Sequence, residues 1–297
     1  MALSLIPFDD RDGWIWMDGE FVAWRDAKVH VLTHALHYAS CVFEGERLYD
    51  GRIFELRQHT ERLFASAEIL DFKIPYSVEE IDRACVETAE RMGLADAYVR
   101  PIAWRGAEQM GVSAPNSQIH VAIASWAWPS YYDAEQKMKG VRLGRAKYKR
   151  PSPETAPTNS KAAGLYMICT LSKHAAEREG YADALMLDWR GLVAEATGAN
   201  VFFVRDGILH TPTPDCFLDG ITRRTVIGLA RARGLEVIER HIQEAELGTF
   251  SECFITGTAA EVTPVSEVGE FRYKPGDISR GLVESYSALV RGVAATA

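Results

Sequence analysis

Glu195-Ala-Thr-Gly-Ala-Asn200-Val-Phe-Phe203 is followed by Leu209-His-Thr211 and then by Leu218-Asp-Gly220-Ile-Thr-Arg223. The apolar run after Asn200 predicts a buried strand over 200–204, Asp206-Gly207 a turn, and 208–211 a second strand. Gly220 and Thr222 stand at the head of a predicted helix, 222–233, stopped by Gly234. The first turn of a helix presents N–H groups with no intrahelical acceptor and a partial positive charge, so residues 220–222 can hold a phosphate. Thr222 can equally be nothing more than a helix cap.

Upstream, one lysine differs from most of the nine in the chain, which lie in polar or charged surroundings. Lys161 follows Pro157-Thr-Asn-Ser160, a loop of turn formers, and precedes Ala162-Ala-Gly164. A lysine that reacts with a carbonyl must be held against a flat cofactor, and small neighbours let such a ring approach closely. By itself this setting also suits a solvated surface lysine.

Further out, the pattern predicts a helix over 162–178 ending at Gly180, and strands over 183–187 and 236–241. Near the N-terminus, 14–24 alternates around Asp18-Gly19, which predicts a hairpin with a type I′ turn. A helix over 59–70 places Leu63, Phe64, Ala67 and Leu70 on one face. A second helix, 78–92, has Ser77 and Glu80 as a capping box and Gly93 as its stop. Strands are expected over 97–103 and 119–125. Residues 128–139 carry Pro129, Ser130, Tyr131, Tyr132 and several charges, and form the boundary. The expected organisation is a small N-terminal α/β domain (1–130), an interdomain loop (131–137) and a large C-terminal α/β domain (138–297) carrying Lys161.

Composition removes several function classes. The 297 residues carry a formal net charge of −8, which argues against a nucleic-acid partner. Hydrophobic residues at 47% and charged residues at 25% are an ordinary soluble balance. Five scattered cysteines with no CxxC pair suit free thiols in a reducing compartment. No signal peptide and no membrane-length apolar stretch is found, so a cytoplasmic protein is expected. His34 and His37 lie close together, but no cysteine or carboxylate set with ligand spacing accompanies them, and no metal is expected.

Taken together, Glu195 to Arg223 resembles the signature of the class-IV aminotransferases, the fold-type IV pyridoxal-phosphate enzymes. Its elements are a glutamate, an asparagine five residues on, an apolar-x-threonine and a Leu-x-Gly-Ile-x-Arg. The family's cofactor-lysine segment is resembled by Pro157-Thr158, Lys161-Ala162 and Tyr166. Over nearly the whole chain the resemblance narrows to the branched-chain amino acid aminotransferases. It is carried by Asp26-Ala-Lys-Val-His-Val31, His34-Ala-Leu-His-Tyr38 and Val42-Phe-Glu-Gly45, and further by Tyr98-Val-Arg100-Pro101 and 256–265, Thr-Gly-Thr-Ala-Ala-Glu-Val-Thr-Pro-Val.

The resemblance implies a two-domain α/β (α+β) fold with the active site between the domains, and pyridoxal 5'-phosphate as cofactor. It implies transamination of leucine, isoleucine and valine with 2-oxoglutarate, giving branched-chain 2-oxo acids and L-glutamate. Carried over, Lys161 forms the covalent link to the cofactor and shuttles the Cα proton. Glu195 faces the pyridine nitrogen, and Tyr166 bonds the phenolic oxygen. Arg62, Ile221, Thr222 and Thr258 hold the phosphate, with Leu218, Gly220 and Gly257 completing the cofactor site. Without the family pattern, Arg62 reads as a solvated arginine on the first helix.

The implied substrate pocket is built from Tyr38, Phe43, Tyr98, Arg100, Trp128 and Tyr131, with Met110 and Val112 arriving from a partner subunit of a homodimer or larger assembly. Tyr98 and the turn through Thr258 and Ala259 hold the α-carboxylate. Arg100, assisted by the Tyr38 hydroxyl, accepts the second carboxylate of glutamate. Singly, each aromatic also fits a core position. Glu46 and Ala199 depart from the family's usual Ile-Arg and Gly-Glu-Asn stretches, and a carboxylate at 46 is expected to alter charge near the pocket. The alternative of the same fold is a D-amino-acid or (R)-selective amine transaminase. Elimination, as in aminodeoxychorismate lyase, is a third chemistry on the same cofactor. A cofactor-free binding protein is the competing class, and the intact set of Lys161, Glu195, Arg62 and Thr222 speaks against it.

Overall fold

Asp18 and Gly19 both take positive φ, 50° and 98°, the backbone that a two-residue type I′ turn requires. The hairpin they close, β1 (Trp14–Met17) and β2 (Glu20–Ala23), opens the fold. The computed structural model describes residues 6–128 and 137–293. The chain divides into two units, Met1–Pro129 with Ser160–Gly164, and Ser130–Asn159 with Leu165–Ala297.

In the first unit, the short helix α1 (His34–Tyr38) leads to β3 (Cys41–Phe43), β4 (Glu46–Tyr49) and β5 (Arg52–Ile53). Helices α2 (Leu56–Ile69) and α3 (Val78–Arg91) follow, then the long strands β6 (Ala97–Arg105) and β7 (Ile119–Ala127). The sheet runs β2-β1-β7-β6-β4-β5, with β3 also on β6. Strand alternation sorts β6 and β7 into two faces. Val99, Ala103, Val121 and Ile123 pack with Leu63, Ala67, Ile81 and Cys85 of the helices. Arg100, Ile102, Trp104, Ala122 and Ala124 face the other way and line a cavity of about 400 Å³ with Ile15, Met17 and Cys41.

The second unit holds β8 (Val141–Arg145), α4 (Tyr166–Arg178), β9 (Asp183–Leu187), β10 (Val193–Ala196), β11 (Asn200–Arg205) and β12 (Ile208–Pro212). It continues through α5 (Ile221–Ala232), β13 (Val237–Arg240), β14 (Glu252–Gly257), β15 (Glu261–Val268), β16 (Phe271–Arg272) and α6 (Asp277–Val290). The sheet order is β10-β9-β8-β15-β14-β11-β12-β13, with β16 on β15. Pairs β8/β9, β8/β15 and β12/β13 are parallel among antiparallel neighbours. The mixed helix-and-sheet fold expected from the sequence is the one that forms.

Three differences from the sequence reading have physical causes. Helix α2 starts at Leu56, because Glu55 takes a left-handed backbone and turns the chain into the helix. Helix α4 starts at Tyr166, four residues later than the periodicity predicts, because Ala162 pairs across to Val42 and Ala163–Leu165 forms a 3-10 turn. The sequence reading puts Lys161 on the second domain, whereas Ser160–Gly164 groups with the first unit. There the Phe43 N–H donates to the Lys161 carbonyl at 3.2 Å, and the Lys161 N–H donates to Ser66 Oγ at 3.0 Å.

Candidate active site

In the first unit the site is built on one face of α2. His59, Arg62 and Ser66 recur at spacings of three and four and so share that face. Glu44, between β3 and β4, is wholly buried against it. Arg62 Nε donates to Glu44 Oε1 at 2.7 Å and Nη2 to Oε2 at 2.9 Å, a bidentate fork, and His59 Nδ1 lies 2.7 Å from Oε2. Burial pushes the Glu44 carboxyl up, but Arg62 and then His59 outweigh it and hold the group well below the usual carboxylate range. The His59 imidazole is pushed down, first by its burial and further by Arg62 and Lys161, against the pull of Glu44.

Lys161 is fixed by its main chain to Ser66 and Phe43, and its Nζ stands 4.9 Å from the centre of the Phe43 ring. The Arg100 guanidinium lies over the same ring at 4.7 Å. Tyr98 is held between Trp126 and Trp128, at centroid distances of 5.2 and 5.3 Å. A Cβ on Gly45 would fall 1.8 Å from the Tyr98 hydroxyl oxygen, so only glycine admits that ring. Arg100 Nη2 lies 3.4 Å from the Tyr98 hydroxyl, and its buried Nε has no hydrogen-bond partner among the described residues. Lys161, Phe43, Tyr98, Arg100 and Trp128 are thus described within one unit, with Arg62 on its α2 face. Tyr38 is exposed with its ring tilted against His34 at 4.7 Å, and the hydroxyl beside Arg100 is that of Tyr98. Met110 and Val112 are exposed too. Tyr131 lies outside the described residues.

In the second unit, Glu195 on β10 lies 3.4 Å from Arg150 Nε through Oε1 and 3.4 Å from Asn200 Nδ2 through Oε2. Arg150 is buried, and Cys169 Sγ and the Cys216 carbonyl also accept from it. Burial weakens the arginine's hold on its proton, but Glu195 first, with Cys169, Tyr166 and Cys216 behind it, together outweigh that and leave it raised. Burial raises the neighbouring thiols, Cys169 to about 11 and Cys216 to about 12, so neither is a reactive thiolate. Tyr166 opens α4, half-buried.

Helix α5 starts from Gly220, an N-cap with no side chain to accept from the first-turn N–H groups of Ile221, Thr222 and Arg223. That helix head is pinned from behind. Arg223 is bonded to Asp219 Oδ1 at 2.8 Å, the Pro212 carbonyl at 3.1 Å and Glu239 Oε2 at 2.8 Å. Thr211 Oγ1 donates to the Val201 carbonyl at 2.9 Å and ties β12 to β11. Gly257, Thr258 and Ala259 form the turn from β14 to β15, and a Cβ on Gly257 would meet the Gly198 carbonyl at 3.2 Å. Ala199 is buried beside it in the core.

Sequence reasoning assigns no role to Glu44, His59 and Arg150. Glu44 leaves a signal, a charge inside the apolar run Cys41-Val-Phe-Glu-Gly45. Arg150 leaves none. Glu46, expected to change the charge near the pocket, is buried beside Cys85 of α3, with the thiol 4.0 Å from Oε1. Burial first, and Glu44 and Asp82 next, push it well above the usual carboxylate range, which favours the neutral acid.

The family description "Amino-transferase class IV" matches residues 41–268. The branched-chain-amino-acid aminotransferase of Pseudomonas aeruginosa is 41% identical over 290 residues, covering 95% of this chain and 94% of its own. Among solved structures, the T.th. branched-chain amino acid aminotransferase with pyridoxamine 5'-phosphate superposes with a TM-score of 0.91 at 40% identity, over 95% of both chains. The same T.th. enzyme complexed with N-(5'-phosphopyridoxyl)-L-glutamate superposes with a TM-score of 0.90 at 39% identity, again over 95% of both. With the signature of residues 195–223 assembled around Glu195 and the head of α5, the chain belongs to the class-IV aminotransferases, within their branched-chain amino acid branch.

Proposed function

We propose that this chain transfers the amino group of L-leucine, L-isoleucine and L-valine to 2-oxoglutarate, with pyridoxal 5'-phosphate as cofactor, giving the branched-chain 2-oxo acids and L-glutamate. The observation that carries it is Arg100, a cation set among Phe43, Tyr98 and an apolar cavity, with no carboxylate among the described residues in ion-pair reach. A pocket that takes leucine and glutamate in turn needs an apolar wall and one available cation.

The residues fit the cofactor by their chemistry. The bare N-terminus of α5 offers donors to an anion, and Glu195 offers an oriented carboxylate to a ring N–H. When bound, pyridoxal phosphate supplies an electrophilic carbonyl and an electron sink for the pair left when the Cα–H bond breaks. Lys161 takes and returns that proton at Nζ. Glu195 keeps the ring nitrogen protonated, and Tyr166 donates to the phenolic oxygen. Arg62, Ile221, Thr222 and Thr258 bind the phosphate, and Leu218, Gly220 and Gly257 shape its surroundings. Tyr98 and the Thr258–Ala259 turn hold the α-carboxylate, Arg100 takes the second carboxylate, and Tyr38, Phe43, Trp128 and Tyr131 wall the side-chain slot. The working form is a cytoplasmic homodimer in which Met110 and Val112 reach a partner's pocket. No described helix is long and apolar enough to cross a membrane.

Two measurements test this. Borohydride treatment of the coloured holoenzyme should leave the cofactor on the peptide containing Lys161, and labelling of another lysine overturns the assignment. A panel of L-leucine, L-valine, D-alanine and (R)-1-phenylethylamine with 2-oxoglutarate should be turned over fastest for the L-amino acids. Faster reaction with either of the last two overturns the substrate class.

A further inference from the structure

Asn200 belongs to the signature, yet none of the roles above uses it. Its backbone is fixed as the first residue of β11, paired with Thr256 of β14. Its buried side chain reaches out of the sheet in two directions. Nδ2 donates to the Leu218 carbonyl at 3.0 Å and lies 3.4 Å from Glu195 Oε2. Oδ1 packs so closely on Gly220 that a Cβ there would fall 2.2 Å from it. Gly220 itself has φ −61° and ψ 140°, backbone that any residue adopts. Glycine is therefore required at 220 by the Asn200 amide and not by the turn.

We propose that Asn200 is a positioning residue that locks the carboxylate of Glu195 to the helix head at Gly220–Thr222, so that the ring-nitrogen end and the phosphate end of the cofactor site keep one fixed spacing. The proposal rests on the reading of those two groups given above. A primary amide suits the task because one nitrogen donates to two acceptors, the carboxylate and the Leu218 carbonyl. Aspartate of the same size offers no donor and would face Glu195 with a like charge. A rigid bound ring tolerates little error in that spacing, since binding groups must be held to roughly 0.5 Å.

The test is cofactor binding, measured by titrating the full-length apoenzyme with pyridoxal 5'-phosphate and with pyridoxal, which lacks the phosphate. The ratio of the two dissociation constants measures what the phosphate contributes, and the pH midpoint of the bound cofactor's visible band reports the ring-nitrogen end. Asn200→Ala should reduce the ratio about tenfold, the scale of one hydrogen bond. It should also shift the midpoint in the same direction as Glu195→Gln. Gly220→Ala, which leaves Asn200 in place but displaces its amide, should do both to a lesser degree and serves if Asn200→Ala does not fold. If Asn200→Ala or Gly220→Ala lowers the melting temperature but leaves ratio and midpoint unchanged while Glu195→Gln moves the midpoint, Asn200 is structural only and the proposal is overturned. If Glu195→Gln leaves the midpoint unchanged, the role given to Glu195 fails and the proposal falls with it.

Discussion

Glu44 and Glu46 are two residues apart at the same strand junction, and neither exposes any surface to solvent. Glu44 meets Arg62 and His59 from α2 and is held as a carboxylate. Glu46 meets the Cys85 thiol from α3, keeps one oxygen with no hydrogen-bond partner among the described residues, and favours the neutral acid. Burial is the same for both, so burial does not set the difference in charge. The helix that covers each side chain does.

The largest expected effect comes from removing the anion that has partners. Glu44→Leu leaves Arg62 and His59 without their acceptor and should cost about 3–5 kcal/mol in urea unfolding. Because the folded-state value of Glu44 is depressed, its contribution is complete above the ordinary glutamate range and is lost as pH falls through the folded value. The gap between wild type and Glu44→Leu should therefore narrow on acidification. A gap independent of pH would mean that Glu44 is not held as a charge.

Glu195 asks which of the two patterns a third carboxylate follows, since it has an arginine beside it as Glu44 has. Glu195→Gln keeps the shape and removes the charge, and turnover should fall about 10²–10³-fold, the scale of one preorganised electrostatic contact. Nearly full activity with an intact fold would place Glu195 with Glu46, as a group whose charge is not used.

Arg100 is the mirror image, a cation with no carboxylate of its own among the described residues. Arg100→Leu should weaken the half-reaction with glutamate by about 1.5–3 kcal/mol, roughly ten- to a hundredfold, and that with leucine far less. Equal losses in single-turnover measurements would show that Arg100 serves the shared α-carboxylate.

The smallest effect has the opposite sign. Glu46→Gln removes a group whose folded-state value is raised, so wild type loses stability as pH rises from the ordinary glutamate range toward that value, while the variant does not. The variant should be more stable by about 1 kcal/mol at pH 8 and nearly equal to wild type at pH 4. Destabilisation at pH 8 that fades toward pH 4 would show that Glu46 carries a charge after all.

Local chemistry is legible in the sequence wherever one segment decides its own structure. The Asp18-Gly19 turn, the Ser77–Glu80 capping box and the contact of Tyr98 with Arg100 on one face of β6 all form as the spacing predicts. The signature of 195–223 marks the head of α5 and the strand before it for the same reason. What cannot be read depends on distant partners. Helix periodicity runs through Ala162, but a bridge to Val42 takes that residue out of the helix. Strand β15 is missed although a turn from β14 leads into it, because its other neighbour, the parallel strand β8, lies far away in the sequence. Arg150 reads like any basic residue in Lys147-Tyr-Lys-Arg150 until the fold buries it beside Glu195.

The grouping of Ser160–Gly164 with the first unit sets an order of events on the ribosome. Residues 130–159, a stretch of thirty, belong to the other unit and must be synthesised before Ser160 exists. At about 5–20 residues per second that interval is roughly 1.5–6 s. Throughout it the Phe43 N–H lacks the Lys161 carbonyl, Ser66 Oγ lacks the Lys161 N–H, and the edge at Val42 lacks Ala162. The nascent first unit therefore waits with an open strand edge, the kind of surface on which two growing chains can pair by mistake. The segment that closes this edge is the same one that delivers Lys161, so the lysine and the protection arrive together.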